Sequence, residues 1–210
     1  MIWIITFPEA LREEAQTIKA LLDAGASRIV LRKPGWTIPQ YEQLIREIDP
    51  ACYNRILIGD LQQLASRYRL AGVHWSGAER VRVASSESRK VFTPAFKRMS
   101  PEELARENST GIHSMEEITQ TDQRYSTLLL SPVFDSISKP GYQGKHSGPL
   151  SEQYNRKILG LGGIDHTNIH LLKHWHFDGA ALLGAIWKVP AKAVDNYCRI
   201  QEIWNRNDHT

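Results

Sequence analysis

Four polar residues follow short apolar runs and carry complementary chemistry. Arg32, Lys33, Asp60 and His113 each stand at or just after the end of such a run. Cations can hold a phosphorylated ligand, a carboxylate can bind a metal ion, and an imidazole can move a proton near physiological pH. The carboxyl ends of strands in a (β/α)8 barrel open on one face, where active sites lie. If the runs are such strands, these residues predict one shared site.

Glycines near the C-terminus suggest where a phosphate would bind. Gly162 and Gly163 follow one apolar run, and Leu183 and Gly184 follow another. Loops after strands 7 and 8 of many barrels hold a phosphate on backbone N–H groups, which glycine leaves accessible. The alternative is that these glycines only turn the chain.

Two further groups suit a metal ion and a diphosphate. Asp60 and Glu79 in neighbouring loops would supply oxygen ligands for Mg²⁺, although both could be surface acids. Ser136, Ser138 and Lys139 offer two hydroxyl groups and an ammonium group to a diphosphate, although spacing alone equally fits a solvated loop.

Apolar β-branched runs alternate with amphipathic segments along the whole chain. Strands this apolar are expected in a parallel sheet covered by helices. Eight strand candidates predict an α/β protein with one domain over residues 1–210, a single (β/α)8 barrel; an open doubly wound sheet is the alternative. Helices are expected at Pro8–Asp23 and Val189–Trp204, among others, whereas Ser76–Ser100 shows no clear pattern.

Composition excludes several functional classes. Of 210 residues, 41% are hydrophobic and 23% charged, and the formal net charge of +3 is spread without a dense basic run. We therefore expect no nucleic-acid partner, and no apolar run reaches the ~20 residues of a membrane span. Cys52 and Cys198 have no motif spacing, which indicates reduced thiols in a cytoplasmic protein. Small phosphorylated substrates are the expected partners, and a homo-oligomer stays open.

An ordered set of segments resembles the thiamine phosphate synthase family and its thiazole tautomerase branch. The segment around Ser136 and Lys139 is the most specific, because it is similar to the family's Gly-Pro-x-Phe-x-Thr-x-Thr-Lys. The segments are Val30-Leu-Arg-Lys33, Leu57-Ile-Gly-Asp60, Ala71-Gly-Val-His74, Gly111-Ile-His-Ser-Met-Glu-Glu117, Ser131-Pro-Val-Phe-Asp-Ser-Ile-Ser-Lys139, Gly160-Leu-Gly-Gly-Ile164 and Gly179-Ala-Ala-Leu-Leu-Gly-Ala-Ile186.

The resemblance implies a (β/α)8 barrel that couples hydroxymethylpyrimidine diphosphate with a thiazole phosphate, using Mg²⁺. It implies that Arg32 and Lys139 hold the diphosphate and that Asp60 and Glu79 hold the metal. It places Ser136 and Ser138 near the substrate. It implies that the thiazole phosphate is bound by Gly162, Gly163, Leu183 and Gly184.

Departures from the family pattern fall mainly on the diphosphate side. Val30 and Pro34 replace a family Gln and Lys, Gly59 replaces an Asn, and Gly111 replaces a Ser, while Lys33 stands beside Pro34 as a substitute cation. The tautomerase branch, which needs no metal or diphosphate, is therefore an alternative, and its resemblance makes His113 the acid/base. A barrel that binds thiazole phosphate without turnover, as a regulator, is a second alternative.

Overall fold

Eight parallel strands close into a barrel in the computed structural model, which describes residues 1–88, 106–135 and 144–206, with the backbone alone for 83–88. Each strand pairs with its neighbours in chain order, and β8 pairs with β1. The strands are β1 Ile2–Ile5, β2 Arg28–Leu31, β3 Ile56–Gly59, β4 Gly72–Trp75, β5 Glu107–Ile112, β6 Thr127–Leu130, β7 Lys157–Leu161 and β8 Gly179–Leu182. The (β/α)8 barrel predicted from the sequence is confirmed, and the open sheet is excluded.

Helices surround the barrel. They are α1 Glu14–Asp23, α2 Ile38–Glu47, α3 Gln62–Arg67, α4 Gly77–Ser88, α5 Glu116–Gln120, α6 Ile169–His174, α7 Gly184–Trp187 and α8 Ala193–Asn205, with 3-10 turns at Pro50–Arg55 and Pro190–Lys192. None of these described helices combines the length and apolar character that a membrane crossing demands.

The strands are buried on both faces, as their apolar sequences require. Alternate residues such as Trp3, Val30 and Leu129 pack together in the barrel interior. Their neighbours, such as Ile4 and Ile29, pack outward against the helices. This alternation decides which strand residues face the interior and which end at its rim.

The first helix begins later than the predicted Pro8. The Lys33 ammonium group donates to the Glu9 carbonyl oxygen at 2.7 Å and so fixes the segment before α1. Glu13 then adopts a left-handed conformation, with φ of 57°, and α1 starts at Glu14. A tertiary contact therefore overrides the local helical pattern.

A helix also occupies the start of the stretch that showed no clear pattern. The amide of Glu79 donates to Ser76 Oγ at 3.3 Å, which satisfies one free N–H group in the first turn of α4. Arg80 then joins this helix to Glu117 and Thr121, at 2.7 Å in both cases. Contacts of this kind, rather than apolar periodicity, position α4.

Candidate active site

A buried histidine lies near the carboxyl end of β4, between Gly59 on β3 and Ser109 on β5. Gly59 on β3 pairs in register with His74 on β4, and His74 pairs with Ser109 on β5. His74 is 7% exposed, and its Nδ1 lies 3.0 Å from Ser109 Oγ. A Cβ atom added to Gly111, further along β5, would meet nothing within 4 Å. The barrel mouth is therefore open above this part of the floor.

His74 is held neutral. Burial, followed by the positive charge of Arg32, lowers the pKa of His74 from 6.5 to about 4. A neutral imidazole offers one donor and one acceptor nitrogen, so His74 can hydrogen-bond to a ligand or to Ser109 without adding charge to the floor. The sequence analysis noted His74 only within a family segment; its inward position follows from the strand register.

Arg32 and the two acids stand on three consecutive strand-end loops. The Arg32 side chain is exposed, and its Cγ lies 3.6 Å from the position of a Cβ on Gly59. Its backbone is fixed by Thr6, whose Oγ1 accepts from the Arg32 amide at 2.9 Å. Asp60 follows β3 with a left-handed backbone, and Glu79 lies in the first turn of α4. Three predicted residues therefore share one sector of the rim.

Ser76 links the two acids. Asp60 Oδ1 accepts from the Ser76 amide at 2.7 Å, while Ser76 Oγ accepts from the Glu79 amide. Glu79 Oε2 also forms an exposed ion pair with Arg82 at 2.7 Å. Each carboxylate thus has one oxygen engaged by these partners and can present the other to a cation. Two such oxygens fit Mg²⁺, which usually completes its ligand set with phosphate oxygens and water.

Asp60 and Glu79 do not belong to a larger cluster of metal-binding side chains in the described part of the chain. Within residues 1–88, 106–135 and 144–206, no three His, Cys, Asp or Glu side chains lie together in a way that would hold a metal ion. A divalent ion at Asp60 and Glu79 would therefore depend on oxygens supplied by a substrate.

His113 is oriented by hydrogen bonds at the end of β5. Its Nδ1 lies 3.1 Å from the Ser131 carbonyl oxygen and 3.3 Å from Ser131 Oγ. Because a carbonyl only accepts, Nδ1 carries the proton, and Nε2 of the neutral ring is then the basic nitrogen. His146, which the sequence analysis overlooked, donates from Nε2 to the His113 carbonyl at 2.9 Å.

Glu117 fixes the same residue from the other side. The His113 amide donates to Glu117 Oε1 at 2.9 Å, and Arg80 donates to Glu117 Oε2 at 2.7 Å. Burial raises the pKa of Glu117, but the hydrogen bonds from Arg80 and the His113 amide outweigh it, so the pKa is lowered. An ionised Glu117 therefore holds the His113 backbone in place.

The backbone conformation and packing of the loop after β7 require glycine at two positions. Gly162 and Gly163 adopt φ of 100° and 65°, and a Cβ on Gly163 would lie 2.1 Å from the Asp135 carbonyl oxygen. The loop after β6 packs here, since Phe134 donates its amide to the Gly162 carbonyl at 3.1 Å. The need for glycine thus follows from backbone conformation and close packing, without a ligand.

The two loops present backbone amides that can bind an anion. The amides of Gly162, Gly163 and Gly184 make no hydrogen bond to another backbone group in the described part of the chain. Leu183 precedes the short helix α7, which is attached to the barrel because Trp187 Nε1 donates to the Ile5 carbonyl oxygen at 2.7 Å. Backbone amides of this kind can hold a phosphate, and the phosphate site at these loops stays a prediction.

Lys33 does not reach the strand-end face. Its ammonium group forms a 2.5 Å ion pair with Glu14, and the two side chains are 0% and 3% exposed. The ammonium group also lies 5.1 Å from the ring centroid of Trp36. In this conformation Lys33 supports α1 and α2 and is not available as a substitute for the missing family lysine.

Three predicted residues cannot be placed. Ser136, Ser138 and Lys139 lie outside the described residues. The rim sectors on either side are described: His113 belongs to one and Gly162 to the other.

No known protein-family model matches this chain, and no protein of curated function matches it. Solved structures do match its fold. A thiamine phosphate pyrophosphorylase from Bacteroides thetaiotaomicron is similar, with a TM-score of 0.70, 21% identity and 99% of each chain covered. One from Pyrococcus furiosus gives a TM-score of 0.74 at 15% identity, covering 96% of this chain and 94% of the other.

Barrels with other named activities match as well. A 3-hexulose-6-phosphate synthase from Salmonella typhimurium gives a TM-score of 0.62 at 13% identity, covering 97% of this chain and 98% of the other. Identities this low establish the fold alone. The reaction must be argued from the residues of the site.

Proposed function

We propose that this protein is an enzyme of thiamine biosynthesis that couples hydroxymethylpyrimidine diphosphate with a thiazole phosphate. The arrangement of Arg32, Asp60 and Glu79 on consecutive rim loops carries this proposal. This arrangement places a cation and two carboxylates beside the open mouth of the barrel. The resemblance in sequence and the two pyrophosphorylase structures of the same fold support it.

In the proposed reaction, the bond between the pyrimidine's exocyclic carbon and the diphosphate oxygen breaks, and the diphosphate leaves with the electron pair. The thiazole nitrogen then donates its lone pair to that carbon, so that a carbon–nitrogen bond forms. Arg32 would stabilise the charge that develops on the diphosphate. Mg²⁺ held by Asp60 and Glu79 would neutralise further negative charge when bound.

The free amides of Gly162, Gly163 and Gly184 would hold the thiazole phosphate on the opposite sector of the rim. Leu183 would contribute the start of that loop. Fixing the phosphate there would position the ring nitrogen towards the pyrimidine and reduce the entropic cost of bringing two substrates together. Ser136, Ser138 and Lys139 remain predicted contacts of the diphosphate.

The test is a coupled assay with hydroxymethylpyrimidine diphosphate and thiazole phosphate, with and without Mg²⁺. Thiamine phosphate that forms only with Mg²⁺ is the expected product. Asp60→Ala should abolish coupling, because it removes a metal ligand, while thiazole phosphate binding persists. Bound thiazole phosphate without any product would refute the synthase and leave the tautomerase or the non-catalytic regulator.

A tautomerase is the second candidate, and the geometry of His113 favours it. The contact from Nδ1 to the Ser131 carbonyl leaves Nε2 as a base at the rim. This nitrogen would take a ring proton from thiazole phosphate carboxylate and return it at another ring atom. His113→Asn should stop isomerisation although an amide can still donate to Ser131. An unchanged isomerisation rate in His113→Asn would exclude the acid/base role.

A further inference from the structure

A basic cavity lies on the flank of the barrel, beside the loops that follow β7 and β8. Its volume is about 220 Å³. It lies between the loop after β7, the segment after α7, and helix α8, and its lining includes apolar side chains beside several cationic ones. The lining residues on which the argument depends are Asp165, His166, Lys188, Lys192, Asn196 and Arg199.

Among the described residues, no acid forms an ion pair with the cations of this cavity. Lys188, Lys192 and Arg199 are exposed, and in the described part of the chain none has a carboxylate oxygen within 4.0 Å. Asp195 lies one helical turn before Arg199, a spacing that permits an ion pair, but the two do not form one. Three like charges therefore border one cavity, and a bound anion would reduce the repulsion between them.

Other cations of the chain behave differently. Lys19 pairs with Asp23 at 2.6 Å and Arg80 with Glu117 at 2.7 Å, and Lys157 pairs with Asp178 at 2.9 Å. About half of the described lysines and arginines form such ion pairs. At the flank, three cations without one in the described part of the chain border the same cavity.

The one acid that lines the cavity is already engaged. Asp165 Oδ1 accepts from the Thr167 amide at 2.7 Å and from Thr167 Oγ1 at 2.6 Å. These hydrogen bonds fix the position of Asp165 Oδ1 against Thr167. Half-buried His166 and Asn196 add polar groups to the lining. The cavity thus combines hydrogen-bonding groups with an excess of positive charge.

We propose that this cavity is a second anion site, which binds the phosphate or diphosphate group of a small phosphorylated compound. The volume is below the roughly 300 Å³ of sites for drug-sized ligands, which suits a diphosphate or a small phosphate ester. Lys188, Lys192 and Arg199 supply the charge-assisted hydrogen bonds. Ala185 of α7 also lines the cavity, so its occupant would contact the segment that begins at the strand-end glycine Gly184.

The test uses nuclear magnetic resonance of histidine rings, because one histidine reports on each site. Inorganic diphosphate and glycerol 3-phosphate are titrated separately into the full-length protein. The His166 ring reports on the flank cavity, and the His113 ring reports on the strand-end face. Saturable shifts of the His166 signals are expected, and the tighter of the two compounds distinguishes a diphosphate site from a phosphate-ester site.

Two matched variants each lose two positive charges. Lys188→Gln/Arg199→Gln should weaken the His166 titration by on the order of 10-fold or more, since each lost cation removes a charge-assisted contact. It should leave the His113 titration unchanged. Arg12→Gln/Arg69→Gln lowers the net charge equally at exposed positions elsewhere and should bind like the wild type.

Two results would overturn the proposal. One is a His166 signal that does not move with either compound. The other is equal weakening in both double variants, which would indicate a response to net charge alone. Because Lys188 and Arg199 are not among the residues assigned to the coupling reaction, these results can be distinguished from failure of the coupled assay. Thermal melting of both variants verifies that the exposed substitutions leave the fold intact.

Discussion

His74 should make the stability of this protein depend on pH between about 4 and 6.5. Its pKa falls from 6.5 in the unfolded chain to about 4 in the folded protein, because of burial and then of Arg32. Each pKa unit corresponds to about 1.4 kcal/mol, so this shift amounts to about 3 kcal/mol. The folded protein binds fewer protons than the unfolded chain in this window.

This difference in proton binding sets the direction in which stability changes with pH. Stability should rise with pH from about 4 to 6.5, and the full stability should be present above that range. As pH falls through the window, His74 of the unfolded chain takes up a proton, whereas His74 of the folded protein stays largely unprotonated until the pH nears 4. The free energy of unfolding should therefore decrease by about 3 kcal/mol from this residue.

Urea unfolding at a series of pH values measures this effect. His74→Gln is the matched variant, because its amide can still hydrogen-bond to Ser109 and does not titrate. The difference in unfolding free energy between wild type and variant should change by about 3 kcal/mol across the window. Arg32→Gln should reduce the effect only partly, because burial is the larger cause. Parallel pH profiles for wild type and His74→Gln would refute the reasoning.

Two further predictions concern stability. Lys33→Met should lower the free energy of unfolding by about 3–5 kcal/mol, because it leaves the buried Glu14 carboxylate without its cationic partner. Lys33→Met/Glu14→Leu should recover most of that loss in urea unfolding, and a double variant as unstable as the single one would contradict the pairing. Gly163→Ala should lower the free energy of unfolding by about 2 kcal/mol or more, because its Cβ would overlap the Asp135 carbonyl oxygen at a positive φ. Gly111→Ala should lower it by less than about 1 kcal/mol, because a Cβ at that position would meet open space. Thermal unfolding compares the two glycine variants, and equal losses would be inconsistent with these positions.

The apolar pattern of the chain was enough to predict the barrel. Strands such as β1 and β8 are buried on both faces, so their sequences lack polar residues and can be recognised without tertiary information. The same pattern located the strand ends, and hence Arg32, Asp60 and His113 at one face. Closure of a parallel barrel brings these residues to one rim whatever the details of packing.

Other features depend on contacts between residues distant in the chain. The ammonium group of Lys33 is oriented inward by Glu14, nineteen residues earlier, and this pairing separates it from the site that its position in sequence suggested. The same interaction with Glu9 delays the start of α1. A sequence pattern shows that a cation follows a strand, but it does not show which carboxylate or carbonyl the cation will reach.

Some chemical properties of this protein follow from the sequence, and others depend on the tertiary structure. The residue types at the strand ends, and the free amides expected after β7 and β8, follow from the sequence. The neutral state of His74 arises from burial, the basic nitrogen of His113 from hydrogen bonding, and the group of cations around Arg199 from the proximity of two chain segments. These quantities depend on distances and solvent exclusion, which exist only once the barrel has closed and its helices have packed.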